Sequence, residues 1–180
     1  MKQIICDKIF TVAEYIHYEL ASESRHEFIN GQLFEIAGGK DINNELALAL
    51  AFMLMQLPKS KGYQVYANDV KIGIPHEAKY YYPDVFVTKE AKTEGNKYIK
   101  SEPELIIEVV SESTQINDYV DKYINYTKIP SLQYYMIVEP ETTLITLYAR
   151  ENGGWVTHKY TNKEDEVQLP FLGIALPLIK

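Results

Sequence analysis

The stretch that most restricts how this chain can fold is "PELIIEVV", residues 103–110. Leu105, Ile106, Ile107, Val109 and Val110 form an apolar run of the kind found in strands buried on both faces. Glu108 interrupts it. Period-two alternation puts Ile106, Glu108 and Val110 on one face and Leu105, Ile107 and Val109 on the other. An ionised carboxylate left alone there costs several kcal/mol or more. Glu108 therefore lies near a strand end, meets a Lys or Arg across the sheet, binds a metal or keeps its proton.

A second strand, "YYYPDVFVT", carries its own acid. Pro83 forces an extended approach and cannot donate to a ladder, so Asp84 stands where the apolar run Val85-Phe86-Val87 begins. Alone, such an Asp reads as a strand-start or turn residue. Two strands that each bring one carboxylate, joined by a loop, can also set both acids side by side. Clustered carboxylates repel unless a hard divalent cation lies between them, and Mg²⁺ (or Mn²⁺) takes oxygen ligands. The backbone carbonyl of Val109 supplies a further candidate ligand. A cation held this way acidifies bound water and stabilises charge building on a phosphate.

The segment "NDYVDKYINYTKI" reads as an amphipathic helix, with Asp118, Lys122 and Tyr126 at i, i+4 and i+8 on one face. Asp118 and Lys122 form a surface pair in the favourable acid-first order, or the face turns to the Asp84/Glu108 strands and brings the Lys122 ammonium to the cation.

The rest of the chain frames these pieces. Thr11 and Glu14 in "TVAEYIHYELAS" form a capping-box pattern for a first helix. Asn30-Gly31 in "RHEFINGQLFEIA" is a strong hairpin signal. "NNELALALAFMLMQLP" predicts an apolar helix capped by Asn43 or Asn44, ended by Pro58 and packed inside. "YQVYA" and "VKIGI" read as strands. "LQYYMIVE", "LITLYAR" and "WVTHKYT" read as a closing meander, and "EVQLPFLGIALPLI" as irregular chain packed against the body. Strands before and after helices without regular alternation favour a mixed α/β (α+β) class with a central sheet. The length of 180 residues suits one domain over 1–180.

Charge and cysteine content narrow the function. Cys6 is the single cysteine, which leaves no internal disulfide framework or cysteine-rich zinc site and suits a reducing cytoplasm. No run approaches the length of a membrane span. The net charge of −7 opposes strong nonspecific nucleic-acid binding, although Lys89, Lys92, Lys97 and Lys100 gather in the loop between the two acidic strands. They make a DNA-facing arm or a solvated loop. The histidines, His17, His26, His76 and His158, lack metal-ligand spacing and read as surface or packing residues. Ser111 and Ser113 suit helix capping or phosphate contact, and Arg25 a backbone phosphate. Gly-Gly at 38–39 and 153–154 reads as turns.

Together, "HEFINGQLFEIAGG", "YPDVFV", "PELIIEVVSEST" and "NDYVDKYINYTKIPSLQYYMIVEP" resemble the restriction-endonuclease family of bacterial proteins within the PD-(D/E)XK nuclease superfamily, over roughly residues 10 to 150. The resemblance implies a restriction-endonuclease-like core, a central mixed sheet flanked by helices, preceded here by a helix and hairpin. It implies a Mg²⁺-dependent endonuclease acting on DNA, and a homodimer. Asp84 matches the Asp of the PD motif and Glu108 the acid of (D/E)XK. Val110 stands where the superfamily lysine falls, and Lys122 on the next helix is the matching position. Glu27 resembles the superfamily's first acid, Asp118 an orienting partner, and Gln133 an auxiliary polar residue. Family members often carry a histidine where Asn43 and Asn44 stand, and an acid and a tryptophan where this chain has Gln133 and Tyr135. A non-catalytic interaction or regulatory protein on the same scaffold is the alternative, and an enzyme acting on another phosphate ester is a third.

Overall fold

The structure is a computed structural model that describes residues 4–36, 40–93, 95, 97–110, 116–162 and 164–178; for 116–119 the backbone alone is described. The elements run α1 (Val12–Ala21), β1 (His26–Ile29), β2 (Gln32–Glu35), α2 (Asp41–Leu54), a 3₁₀ turn (Lys59–Lys61), β3 (Gln64–Ala67), β4 (Lys71–Gly73), β5 (Lys79–Tyr81), β6 (Val85–Thr88), β7 (Ile99–Lys100), β8 (Pro103–Val109), α3 (Ile116–Tyr126), β9 (Tyr134–Glu139), β10 (Leu144–Glu151), β11 (Gly154–Tyr160), β12 (Glu166–Leu169) and β13 (Ile174–Pro177). This is the mixed α+β class read from the sequence.

A six-stranded sheet in the order β11-β10-β9-β8-β6-β3 forms the centre. β8 and β9 are parallel and joined through α3, whereas β6 runs antiparallel to β8. Every residue of β8 is buried, as an apolar run between two covered faces requires. Leu105, Ile107 and Val109 face a core built with Ala47, Leu50 and Leu54 of α2 and with Val167, Leu169 and Leu176. Ile106 and Val110 face the other core, with Tyr126 of α3 and Ile72 and Tyr81 of a second sheet. That sheet has the order β2-β1-β5-β4-β7.

Local chemistry explains the small sheet's start. Thr11 and Glu14 form the reciprocal capping box, and Tyr15 of α1 stacks on Phe28 of β1 at 4.7 Å between centroids. Asn30 (φ 50°) and Gly31 (φ 93°) turn the β1–β2 hairpin in the left-handed pair that a two-residue loop demands.

Three expectations need correction. α2 starts at Asp41 with Lys40 as its cap residue, because the Asn43 and Asn44 amides already bond the Lys40 carbonyl at 3.1 and 3.3 Å. It also buries only one face: Leu48, Phe52 and Met55 are 54, 67 and 58% exposed. Finally, the tail forms the antiparallel β12–β13 hairpin. Val167 and Leu169 go inward between exposed Glu166 and Gln168, while Pro170 lies in the turn and Pro177 at a strand end, where proline costs no ladder bond. The loop between the acidic strands additionally contains the two-residue strand β7. No described helix is long and apolar enough to cross a membrane.

Candidate active site

Antiparallel pairing of β6 with β8 sets Val85 opposite Ile107. One step outward, Asp84 meets the Glu108–Val109 segment, and the Val109 N–H donates to Asp84 Oδ2 at 2.6 Å. The proline-set strand start and the acid in the buried strand thus share one end of the large sheet. The i, i+4 face of α3 turns onto them: Lys122 Nζ donates to Glu108 Oε1 at 3.0 Å, and the Tyr126 hydroxyl donates to the same oxygen at 2.9 Å. Lys122 Nζ also lies 3.4 Å from Glu27 Oε1 on β1. Glu27, Glu108 and Lys122 are all buried. Glu27, Asp84, Glu108 and Lys122, separated by up to 95 positions in the chain, therefore form one polar cluster between the two sheets.

Supporting contacts hold each part. Asn125 donates to the Tyr81 hydroxyl at 2.9 Å and accepts from Lys79 at 2.8 Å, fastening α3 to β5. On the far side of β1, Glu19 accepts from the His26 backbone amide at 2.9 Å, contacts His26 Nδ1 at 2.9 Å and accepts from the Tyr82 hydroxyl at 2.6 Å. Lys71 donates to Tyr82 at 2.8 Å. His26 is thus a buried partner of Glu19 behind Glu27. Burial holds the Lys71 ammonium below the ordinary lysine range. Next to Glu108, tyrosine rings run in contact from Tyr81 to Tyr126, Tyr135, Tyr148 and Tyr123, which accounts for part of the chain's tyrosine content.

The electrostatics are those of a site short of positive charge. Burial raises Asp84 above the usual carboxylate range, opposed by the Val109 amide and Lys122 and reinforced by Glu27. Glu108 is pushed up to about 8, chiefly by burial, with Lys122 opposing and Asp84 and Glu27 adding to the rise. Tyr126 is likewise driven upward, first by burial and then by Glu108. If Glu27, Asp84 and Glu108 all ionise against Lys122, the cluster's one cation among the described residues, two negative charges remain. A divalent cation matches that remainder, and the donors are hard oxygens.

Asp84 and Glu108 each spend one oxygen on the bonds above, and among the described residues Asp84 Oδ1 and Glu108 Oε2 take no hydrogen bond. Among the described residues no group of three or more His, Cys, Asp or Glu side chains stands close enough to hold an ion unaided. A two-carboxylate set suits Mg²⁺, which retains water and needs few protein ligands. The residues present fit such an ion.

Other anticipated residues lie elsewhere. Gln133 precedes β9, where its amide donates to the Glu104 carbonyl at 2.9 Å. That is the end of β8 opposite Glu108, and its side chain bonds Ser131 instead. The Asp118 side chain, Ser111, Ser113 and Gly38-Gly39 fall outside the described residues. Gly153 sits in the β10–β11 hairpin turn with φ 82°. Of the loop lysines, Lys100 is buried and donates to the Ala91 carbonyl at 3.3 Å, whereas Lys89, paired with Glu104 at 3.3 Å, and Lys92 and Lys97 are exposed. Arg25 bonds the Asn68 carbonyl at 3.0 Å and Asp69 at 2.7 Å, while the Asn68 amide donates to the Asp84 carbonyl. Sequence reasoning named Tyr126 without a role, and its place four residues after Lys122 was the available signal. The Glu19–His26–Tyr82–Lys71 group left no signal, because its members are spread over four elements and loops.

Comparison with known proteins gives a consistent picture. The chain is 28% identical over 177 residues to "Uncharacterized protein sll1609" of Synechocystis sp., covering 97% of this chain and 100% of that protein. It is 27% identical over 163 residues to "Uncharacterized protein slr1290" of the same organism, covering 90% and 85% respectively. Its fold matches the crystal structure titled "a putative nuclease belonging to DUF820" from Anabaena variabilis, with a TM-score of 0.76, 13% identity and coverage of 94% of this chain and 95% of that one. The Uma2 family model, described as "Putative restriction endonuclease", matches residues 12–178, and the chain belongs to that family.

Proposed function

We propose that this protein is a Mg²⁺-dependent endonuclease that hydrolyses DNA phosphodiester bonds, with residues 1–180 forming one catalytic domain that works as a homodimer. The observation that carries this reading is the meeting of Asp84 and Glu108 across β6 and β8 with Lys122 Nζ 3.0 Å from Glu108. Asp84, Glu108 and the Val109 backbone carbonyl would hold the ion. When bound, Mg²⁺ (or Mn²⁺) supplies Lewis acidity toward a phosphate oxygen and acidifies water.

The chain's own residues do the rest. Lys122 orients the attacking water and offsets charge gathering on the phosphate. Glu27, 3.4 Å from the Lys122 ammonium, holds it together with Glu108, and Tyr126 fixes the Glu108 carboxylate. Glu108, pushed up to about 8 by its burial, would give up its proton to serve as a ligand, since a cation beside a carboxylate favours the charged form.

The test is calorimetric titration with Mg²⁺ and Mn²⁺ on the wild type and Asp84→Ala, run beside cleavage assays on plasmid and single-stranded DNA. Binding and cleavage by the wild type, both lost in Asp84→Ala and cleavage lost in Glu108→Ala and Lys122→Ala, are expected. A wild type that binds neither ion and cuts neither substrate refutes the nuclease and leaves a non-catalytic protein on this scaffold.

A further inference from the structure

The end of the large sheet away from Glu108 gathers rings and ammonium groups that neither the acidic cluster nor the core uses. Phe171, in the turn between β12 and β13, is 49% exposed, while its neighbour Leu172 is buried. The turn is fixed. The Phe171 amide donates to the Tyr134 hydroxyl at 2.9 Å, and the Leu172 and Gly173 amides both donate to the Leu169 carbonyl at 3.0 Å. Leu172 anchors this turn, and Phe171 is held in water beside it. Lys89 Nζ lies 5.6 Å from the Phe171 ring centroid and 4.5 Å from that of Tyr63. Lys61 reaches the same turn: its Nζ comes within 3.6 Å of where a Cβ on Gly173 would stand. Two rings and two ammonium groups thus meet around one short turn.

The local charge selects an anion. The chain carries −7 overall, yet Lys59, Lys61 and Lys89 are all exposed here. Among the described residues Lys59 and Lys61 enter no ion pair, and the buried Glu104 answers Lys89 alone, at 3.3 Å. An anion by itself has no need of an exposed phenyl ring. A ligand that uses both features carries flat rings and negative charges in alternation, and single-stranded nucleic acid does so: bases stack on exposed aromatic side chains while phosphates meet lysines. A duplex offers the phosphates but keeps its base faces stacked inside, and an acidic peptide brings charge without rings.

We infer that the turn surface made by Lys61, Lys89 and Phe171 is a binding site for single-stranded nucleic acid, with a base stacked on Phe171 and the flanking phosphates on the two lysines. The inference rests on the endonuclease reading above only in taking the substrate to be a nucleic acid. The site is separate from the ion-holding pair. Tyr134, which holds the turn, pairs with Leu105, whereas Glu108 pairs with Ile137, so the two stand about 10 Å apart along β9 at ~3.3 Å per residue. The surface holds a strand without cutting it and directs the protein to substrates with an unpaired stretch. Because the turn is fixed beforehand, binding costs little ordering of the protein.

The test is fluorescence anisotropy with a labelled single-stranded DNA oligonucleotide and the matching duplex, titrated with the full chain in chelator at several salt concentrations. The single strand should bind with a Kd on the order of 10–100 µM near physiological salt, and the duplex at least tenfold more weakly. Phe171→Leu should weaken single-strand binding about tenfold, the size of one lost base stack, while Phe171→Tyr should keep it. Lys61→Gln should lower the slope of log K against log salt by about 0.7, the loss of one phosphate contact on a single strand. A wild type that binds no single strand overturns the inference. Equal affinity for the duplex, or a Phe171→Leu protein that binds as the wild type does, overturns it by removing the stacked base. An unchanged salt slope in Lys61→Gln overturns the place given to that lysine. No cleavage occurs in chelator, so failure here leaves the Asp84/Glu108 reading standing, and a wild type inert in the cleavage assay leaves this surface standing.

Discussion

Replacing Glu108 with Gln should make the ion-free protein more stable while abolishing cleavage. The buried carboxyl moves from 4.5 to about 8, and at 1.36 kcal/mol per pH unit that rise sets about 5 kcal/mol against the ionised form. Folded Glu108 keeps its proton up to about pH 8, whereas unfolded Glu108 gives it up near 4.5. Between those values the folded state binds more protons, so raising pH through this window removes stability from the wild type. Gln carries no charge to lose, and its amide oxygen still accepts from Lys122 and Tyr126.

Allowing water and relaxation to absorb about half the penalty, the variant should gain roughly 2 kcal/mol at pH 8.5, or ~5 °C in Tm for a chain of this size. The gain should fade toward pH 4.5. The assay is thermal unfolding in chelator across pH 4.5–9, a window set by that titration, followed by the same scans with Mg²⁺. Added Mg²⁺ should raise Tm of the wild type and leave the variant where it was. A variant no more stable at pH 8.5 than the wild type, or one whose gain is the same at every pH, would show that Lys122 alone keeps Glu108 ionised and would refute the reasoning.

Two further outcomes follow from the same contacts. Lys122→Met removes the cation lying 3.0 and 3.4 Å from two buried acids. It should cost about 3–5 kcal/mol above pH 8 by urea unfolding and less at pH 5, where Glu108 takes a proton; a cost independent of pH contradicts the charge argument. Gly31→Ala places a Cβ 2.7 Å from Ile9 Cγ2 at a φ of +93°. The loss should be about 1–2 kcal/mol, read as a lower denaturation midpoint, and an unchanged midpoint would show that the hairpin turn relaxes freely.

The chemistry of the cluster was legible because each member broke a local rule. Glu108 interrupted an apolar strand, Asp84 followed a strand-starting proline, and Lys122 occupied the helix face that alternation pointed toward them. Strand register, with side chains repeating every two residues, carries such information over long separations. Gln133 shows the limit. A parallel β8–β9 pair joined through α3 sends the chain back to the start of β8, so a residue just before β9 lies at the wrong end of the sheet for Glu108. The face of α2 was misread because composition records how apolar a helix is and not which sides the rest of the chain covers. The tail was misread because two prolines obscured a four-residue alternation. The second sheet depends on β5 and β7, which are too short to show a period.

The acids of the site do not share one support. Asp84 and Glu108 belong to the large sheet, while Glu27 rides on β1 of the small one and meets Lys122, which also bonds Glu108. Ion-holding and lysine-tuning are thereby separately inheritable parts. A relative that rebuilds the β1–β2 hairpin can reset the lysine's environment without disturbing the Asp84/Glu108 pair proposed to hold the ion. A relative that keeps the hairpin can lose that pair and still present a folded, charge-balanced surface. Divergence within such a lineage should run along this division, with activity retuned from the small sheet and extinguished from the large one.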